Sequence, residues 1–192
     1  MKLRIVALGV LGAAIVASAC TNPINLQASD IVSIDTLTVS ALSGTSPSLP
    51  SAVDLFTRQP VVVDGSAQFD VAFDILSANQ VRVIPVRLVV TSLSGVRLVG
   101  LKTAPGTFDA LSAAPSGTYQ QDSSLTVAPG DIVVFQTTRS LAGEFCQFAI
   151  SPFIYAKLSV ISIDPAARTI QFQLGADPNC GFRSLQPGLP TS

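Results

Sequence analysis

Phe69-Asp70-Val71-Ala72-Phe73-Asp74-Ile75 decides the fold class of this chain. Phe69, Val71, Phe73 and Ile75 fall on one side of an extended backbone, and Asp70 and Asp74 on the other. That period of two is the mark of a half-buried β-strand. The surrounding segments repeat it. Val, Ile, Leu, Thr and Phe crowd residues 37–42, 61–63, 81–91, 96–101, 125–127, 132–138, 154–163 and 169–174. Turn formers separate them: Asp64-Gly65, Ser94-Gly95, Pro105-Gly106, Pro129-Gly130-Asp131 and Asp164-Pro165. Eight or nine strands at this spacing predict an all-β, antiparallel β-sandwich, immunoglobulin-like in general architecture. No stretch offers three capped helical turns, although residues 109–114 have room for one short turn. The alternative, an eight-stranded membrane barrel, calls for aromatic girdles, and this chain has no Trp and two Tyr.

Two hairpins follow from the same pattern. Ser77-Ala78-Asn79-Gln80 joins Ile75 to Val81, which sets Asp74 opposite Arg82 and Phe73 opposite Val83. Asp164-Pro165-Ala166-Ala167-Arg168 joins Ile163 to Thr169. Asp70 and Asp74 are then expected on a solvated polar face, about 13 Å apart, too wide for a catalytic carboxylate pair. Pro85 predicts that its strand is an edge or breaks there. Residues 44–52 and 112–124 read as long irregular segments, the second with Tyr119 near its middle.

The N-terminus carries a different signal. Lys2 and Arg4 precede an uncharged apolar run over residues 5–16, the length of an export signal and too short to span a bilayer. Ala17-Ser18-Ala19-Cys20 closes it. This resembles a bacterial lipoprotein signal, in which the cysteine is lipidated and becomes the first mature residue. The resemblance covers twenty residues and departs from the family at Ala17, where Leu is preferred. Ala17 and Ala19 also suit ordinary signal cleavage. The resemblance implies a signal peptide over 1–19, a lipidated linker over 20–28 and a membrane held through lipid at Cys20. Thr21, in place of Asp, points to the outer membrane, facing the periplasm or the surface. The sandwich is expected over 29–185 and a disordered tail over 186–192.

Cysteine arithmetic agrees. There are three cysteines; if Cys20 carries lipid, Cys146 and Cys180 remain as a pair. In an oxidising compartment they are expected to form a structural disulfide. No Cys-x-x-Cys supports a redox role.

Composition excludes several classes. Charged residues make up 12% of the chain, and the net charge is −1. No basic cluster exists, so no nucleic-acid partner is expected. The chain has no histidine. That removes Ser-His-Asp and Cys-His catalysis, most zinc sites and the usual copper sites. It matters because residues 127–135 resemble a strand-turn-strand segment of cupredoxins, which need histidine ligands. Here Asp131 is instead expected to cap the Pro129-Gly130 turn. No metal, cofactor or catalytic residue is assigned. Asp177 and Asn179 alone approach a calcium-loop composition.

Three function classes remain open. One is a non-enzymatic, lipid-anchored envelope protein with an interaction or structural role and an envelope protein as partner. Another is a module binding a glycan or small ligand through Tyr119 and Tyr155. The third is an enzyme relying on carboxylates such as Glu144 or Asp131. Phe145, Phe148, Phe153 and Tyr155 crowd one segment, expected as core beside the disulfide or as an interaction patch.

Overall fold

The computed structural model describes residues 28–66, 68–90, 96–138, 146 and 151–190. Ten strands are present among the described residues: β1 (Ser33–Ser40), β2 (Pro50–Asp54), β3 (Gln59–Val62), β4 (Val71–Ser77), β5 (Gln80–Pro85), β6 (Val99–Ala104), β7 (Leu125–Val127), β8 (Ile132–Thr137), β9 (Ile154–Asp164) and β10 (Thr169–Asp177). They form two five-stranded antiparallel sheets, ordered β1-β10-β9-β8-β6 and β3-β2-β4-β5-β7. The sheets pack face to face as an antiparallel sandwich with immunoglobulin-like architecture, five strands to a side.

Alternation explains the main core. Ala156, Leu158 and Val160 on β9, Ile170, Phe172 and Leu174 on β10, and Val133 and Phe135 on β8 meet Val71, Phe73 and Ile75 on β4 and Val81 and Val83 on β5. Phe73 stacks on Phe172 across the two sheets, with ring centroids 4.9 Å apart. Aromatic pairs of this kind add about 0.5–1.5 kcal/mol beyond their burial.

Both expected hairpins form. Asp74 faces Arg82 and Phe73 faces Val83. In the other turn, the Ala166 and Ala167 amides donate to Asp164 Oδ1, both at 2.9 Å, the side-chain mimicry that favours Asp at a turn start. Asp131 caps its turn as expected, accepting from the Ala128 amide at 2.8 Å.

Several expectations are corrected. Asp70 and Asp74 do not lie on a wet face: they are 1% and 4% exposed. A period of two places side chains on alternate faces, but it does not reveal that both faces are covered. Strand β5 is no edge, since it lies between β4 and β7. It does end at Pro85, where a 3₁₀ turn, Val86–Leu88, takes over. Residues 44–52, read as irregular, run into β2. Separately, Gly188 forms an isolated bridge with Val32: the Val32 amide donates to the Gly188 carbonyl at 2.8 Å, and the Gly188 amide returns a bond at 3.1 Å. No helix among the described residues is long and apolar enough to cross a membrane.

Candidate functional site

Five clusters gather the side chains capable of chemistry. The first lies on the outer face of the β1-β10-β9-β8-β6 sheet. Strands β8 and β9 send Ile132, Val134 and Tyr155 outward, and Ala114, Tyr119 and Leu185 cover them to make a second core. The loop after β6 is fastened over this face. Leu101 and Gln120 exchange backbone bonds of 2.8 Å, the Ala114 amide donates to Arg183 O at 2.8 Å, and the Leu185 amide donates to Ser112 O at 2.8 Å. Gly100 makes the closure possible: a Cβ there would meet Tyr119 Cβ at 2.6 Å.

Tyr119 and Tyr155, the two sequence candidates for ligand contact, are brought together with ring centroids 6.1 Å apart. They are only 6% and 5% exposed. The Tyr119 hydroxyl donates to Pro115 O at 2.8 Å, and the Tyr155 hydroxyl accepts from Gln136 Nε2 at 3.0 Å. Lys102 Nζ lies 5.6 Å from the Tyr119 centroid, and the Arg183 guanidinium 5.5 Å from that of Tyr155. Burial pushes the Tyr119 hydroxyl up to about 12, so it stays a neutral donor.

The second cluster is Lys157, on the same outer face and 1% exposed. Its ammonium donates to the carbonyls of Phe108 at 2.6 Å and Leu111 at 2.9 Å, and it sits 4.4 Å from the Phe108 ring centroid. Burial lowers its pKa, with Asp109 pulling weakly the other way. It pins the loop through backbone dipoles rather than through an ion pair.

The third cluster ties the sheets together at one end of the sandwich. Arg97, just before β6, donates Nη1 to Asp70 Oδ2 at 2.9 Å and Nη2 to Asp54 Oδ2 at 3.0 Å. Asp70 also accepts from the Leu55 amide at 2.7 Å and the Thr137 hydroxyl at 2.8 Å. Burial pushes the Asp70 carboxyl up, while Arg97, Leu55 and Thr137 pull it back. For Arg97, burial favours loss of the proton, but Asp70 and Asp54 outweigh it and raise its pKa. Every donor is aimed at a carboxylate, so the group is an internal ion cluster with its bonds satisfied.

Asp74, toward the other end of β4, accepts from Ser43 Oγ at 2.8 Å, the Ser43 amide at 3.1 Å, Arg168 Nη2 at 3.2 Å and Arg82 Nη2 at 3.3 Å. Burial works against its charge, but these donors and the Ile75 amide outweigh burial and hold its carboxyl below the usual range.

The fifth cluster surrounds the disulfide. Cys146 and Cys180 are bonded, with Cα atoms 5.7 Å apart. Nearby, Asn179 Oδ1 accepts from the Ser29 and Asp30 amides at 2.9 and 3.0 Å, and its Nδ2 donates to Asp30 O and Asp177 Oδ1, both at 2.7 Å. Asn179 thus fastens the start of the domain to the end of β10. Asp177 Oδ2 is buried without a hydrogen-bond partner among the described residues, and burial raises that carboxyl despite the bonds from Asn179. No group of three or more His, Cys, Asp or Glu able to hold a metal occurs among the described residues.

Cys20, Glu144, Phe145 and Phe148 lie outside the described residues. Asp131 serves its turn. Nothing in the local sequence marks Arg97, Asp54 or Thr137, and Lys157 lacks a serine three residues before it, where Ile154 stands, so it makes no Ser-Lys dyad. Lys157 carried one signal, a charge in the middle of an apolar alternating run. Arg97, between Val96 and Leu98, carried none. No protein-family model, no curated protein and no solved structure matches this chain.

Proposed function

We propose that this is an exported, lipid-anchored protein of the cell envelope with a non-enzymatic interaction or structural role. The observation that carries the reading is the pairing of cysteines. Cys146 and Cys180 are bonded to each other, which leaves Cys20, at the end of the export-type signal, as the odd one of three. A lipidated cysteine accounts for all three in an oxidising compartment. Several chains on a mature lipoprotein hold a membrane firmly, where a single chain binds only marginally.

The five clusters support the second half of the reading. Asp54, Asp70, Arg97, Asp74, Lys157 and Asn179 spend their hydrogen bonds joining one part of the sandwich to another. Their chemistry is used to hold shape. The glycan or small-ligand reading asks for open rings at Tyr119 and Tyr155, and both are closed within the second core. Thr21 after the cysteine favours the outer membrane. The partner is expected to be another envelope protein.

Metabolic labelling with a fatty-acid analogue tests the anchor. The full chain should take up label and enter the detergent phase; Cys20→Ser should lose both. An unlabelled wild-type chain sinks the lipid reading. Cross-linking in intact cells, followed by mass spectrometry of what co-purifies, tests the interaction role.

A further inference from the structure

Ile31 and Leu189 are the two most exposed large apolar side chains among the described residues, at 62% and 57%. They come from opposite ends of the chain and meet at one end of the sandwich. Val32 and Gly188 exchange two backbone bonds as an antiparallel bridge, and that register sets Ile31 opposite Leu189. Residues beside such a hydrogen-bonded pair lie about 4.5 Å apart between Cα atoms, so the two side chains form one patch.

Neither residue hangs loose. Asn179 Oδ1 accepts from the Asp30 amide, and Asn179 Nδ2 donates to the Asp30 carbonyl. Ile31 is therefore held between two fastened residues, Asp30 and Val32. Val32 is buried, and alternation turns Ile31 the other way. Leu189 stands between Gly188, whose φ of 115° favours glycine, and the buried Pro190. Scattered single apolar residues on a surface are ordinary. Here two are fixed side by side.

The place of the patch points to its occupant. Ile31 stands eleven residues after Cys20, a length that reaches at most about 40 Å. Strand β1 then leads away from the patch for eight residues, about 26 Å. It ends where the Leu42 amide bonds Phe73 O and Arg168 meets Asp74. The patch thus lies at the end of the sandwich where the tether enters. No Lys or Arg occurs between Cys20 and Arg58, and Asp30 precedes Ile31, so charge offers anionic headgroups nothing.

We propose that Ile31 and Leu189 insert into the bilayer that holds the lipid on Cys20, and so seat this end of the sandwich on the membrane. The inference rests on the lipid-anchor reading. The anchor keeps the patch at high local concentration beside the bilayer, so two side chains suffice where they would not bind alone. The contact is apolar, and neither salt nor anionic lipid governs it. The turn between β9 and β10 is then held away from the membrane.

The chain has no Trp, so one substitution makes a unique reporter. Ile31→Trp, Leu189→Trp and Leu76→Trp are purified with their anchor and reconstituted into phosphatidylcholine vesicles with brominated acyl chains. Leu76 is exposed and lies two residues beyond Asp74, at the far end. Ile31→Trp and Leu189→Trp should lose most of their emission relative to unbrominated vesicles, and Leu76→Trp should lose none. The first two report independently, so one that fails to fold leaves the other to decide. Unquenched probes at both sites overturn the proposal, as does equal quenching at all three or quenching abolished by salt. Probes shielded only when envelope proteins are added would assign the patch to a protein partner and also overturn it. Fatty-acid labelling of the same samples separates the two readings. A labelled chain with unquenched probes overturns the membrane seat alone; an unlabelled chain overturns the anchor and the seat together.

Discussion

Asp70 and Asp74 stand four residues apart beside one strand, are both nearly out of water, and titrate in opposite directions. Asp70 is wholly enclosed, and burial raises it despite Arg97. Asp74 keeps a link to the surface through Arg82 and Arg168, and its donors win over burial. The residue type and the alternation are the same. The difference is how much solvent each carboxylate has lost against how many donors it has gained. Asp70 sits where two sheets close, so it has one arginine, which it shares with Asp54. Asp74 sits where two arginines reach it, Arg82 from the neighbouring strand β5 and Arg168 from the turn between β9 and β10.

The largest expected effect removes the shared arginine. Arg97→Met leaves Asp54 and Asp70 buried without a counter-charge and should cost about 3–5 kcal/mol in denaturant unfolding. A loss near zero would mean that the cluster is hydrated and the contrast with Asp74 false. Asp74→Asn should cost less, about 1–3 kcal/mol, because charge-assisted bonds are weakened but no charge is stranded deep inside. If it costs more than Arg97→Met, the rim and not the closed end is the firmer tie.

Acid titration sharpens the comparison. Between the raised folded value of Asp70 and its ordinary 3.8, the folded state holds the extra proton. The Asp70 contribution therefore grows as pH falls through that window. Asp74 does the reverse: its contribution is full above 3.8 and is lost as pH falls toward its depressed folded value. Melting temperature followed against pH should show a steeper acid loss for Asp70→Asn above 3.8 and a shallower one for Asp74→Asn below it. Parallel curves for the two variants would erase the distinction.

Lys157 extends the series to a buried charge held by carbonyls alone. Its folded pKa lies below 10.5, so in the window up to 10.5 the unfolded chain binds more protons and stability should rise with pH. Lys157→Met should flatten that rise, the smallest of these effects. A wild-type profile flat to 10.5 would show that two carbonyls and a ring replace water fully around this ammonium.

The strand pattern was legible wherever a segment alternated and was closed by turn residues. Residues 69–75, both hairpins and the Cys146–Cys180 pairing follow from local preference and parity. Strand β2 was missed because Pro50 and Ser51 read as loop, and its partner strands lie elsewhere in the chain. The clusters were less legible for the same reason. Arg97 meets Asp54 and Asp70 from 43 and 27 residues away, and nothing local to Arg97 announces either.

Sequence alone determined the period of the backbone, the turns and the odd number of cysteines, because each rests on neighbouring residues or on a count. Tertiary structure alone decided which polar groups went dry. Alternation assigns a side chain to one of two faces; whether that face meets water depends on what the rest of the chain lays over it. A loop covers Tyr119, Tyr155 and Lys157, and Arg97 and Thr137 close over Asp70.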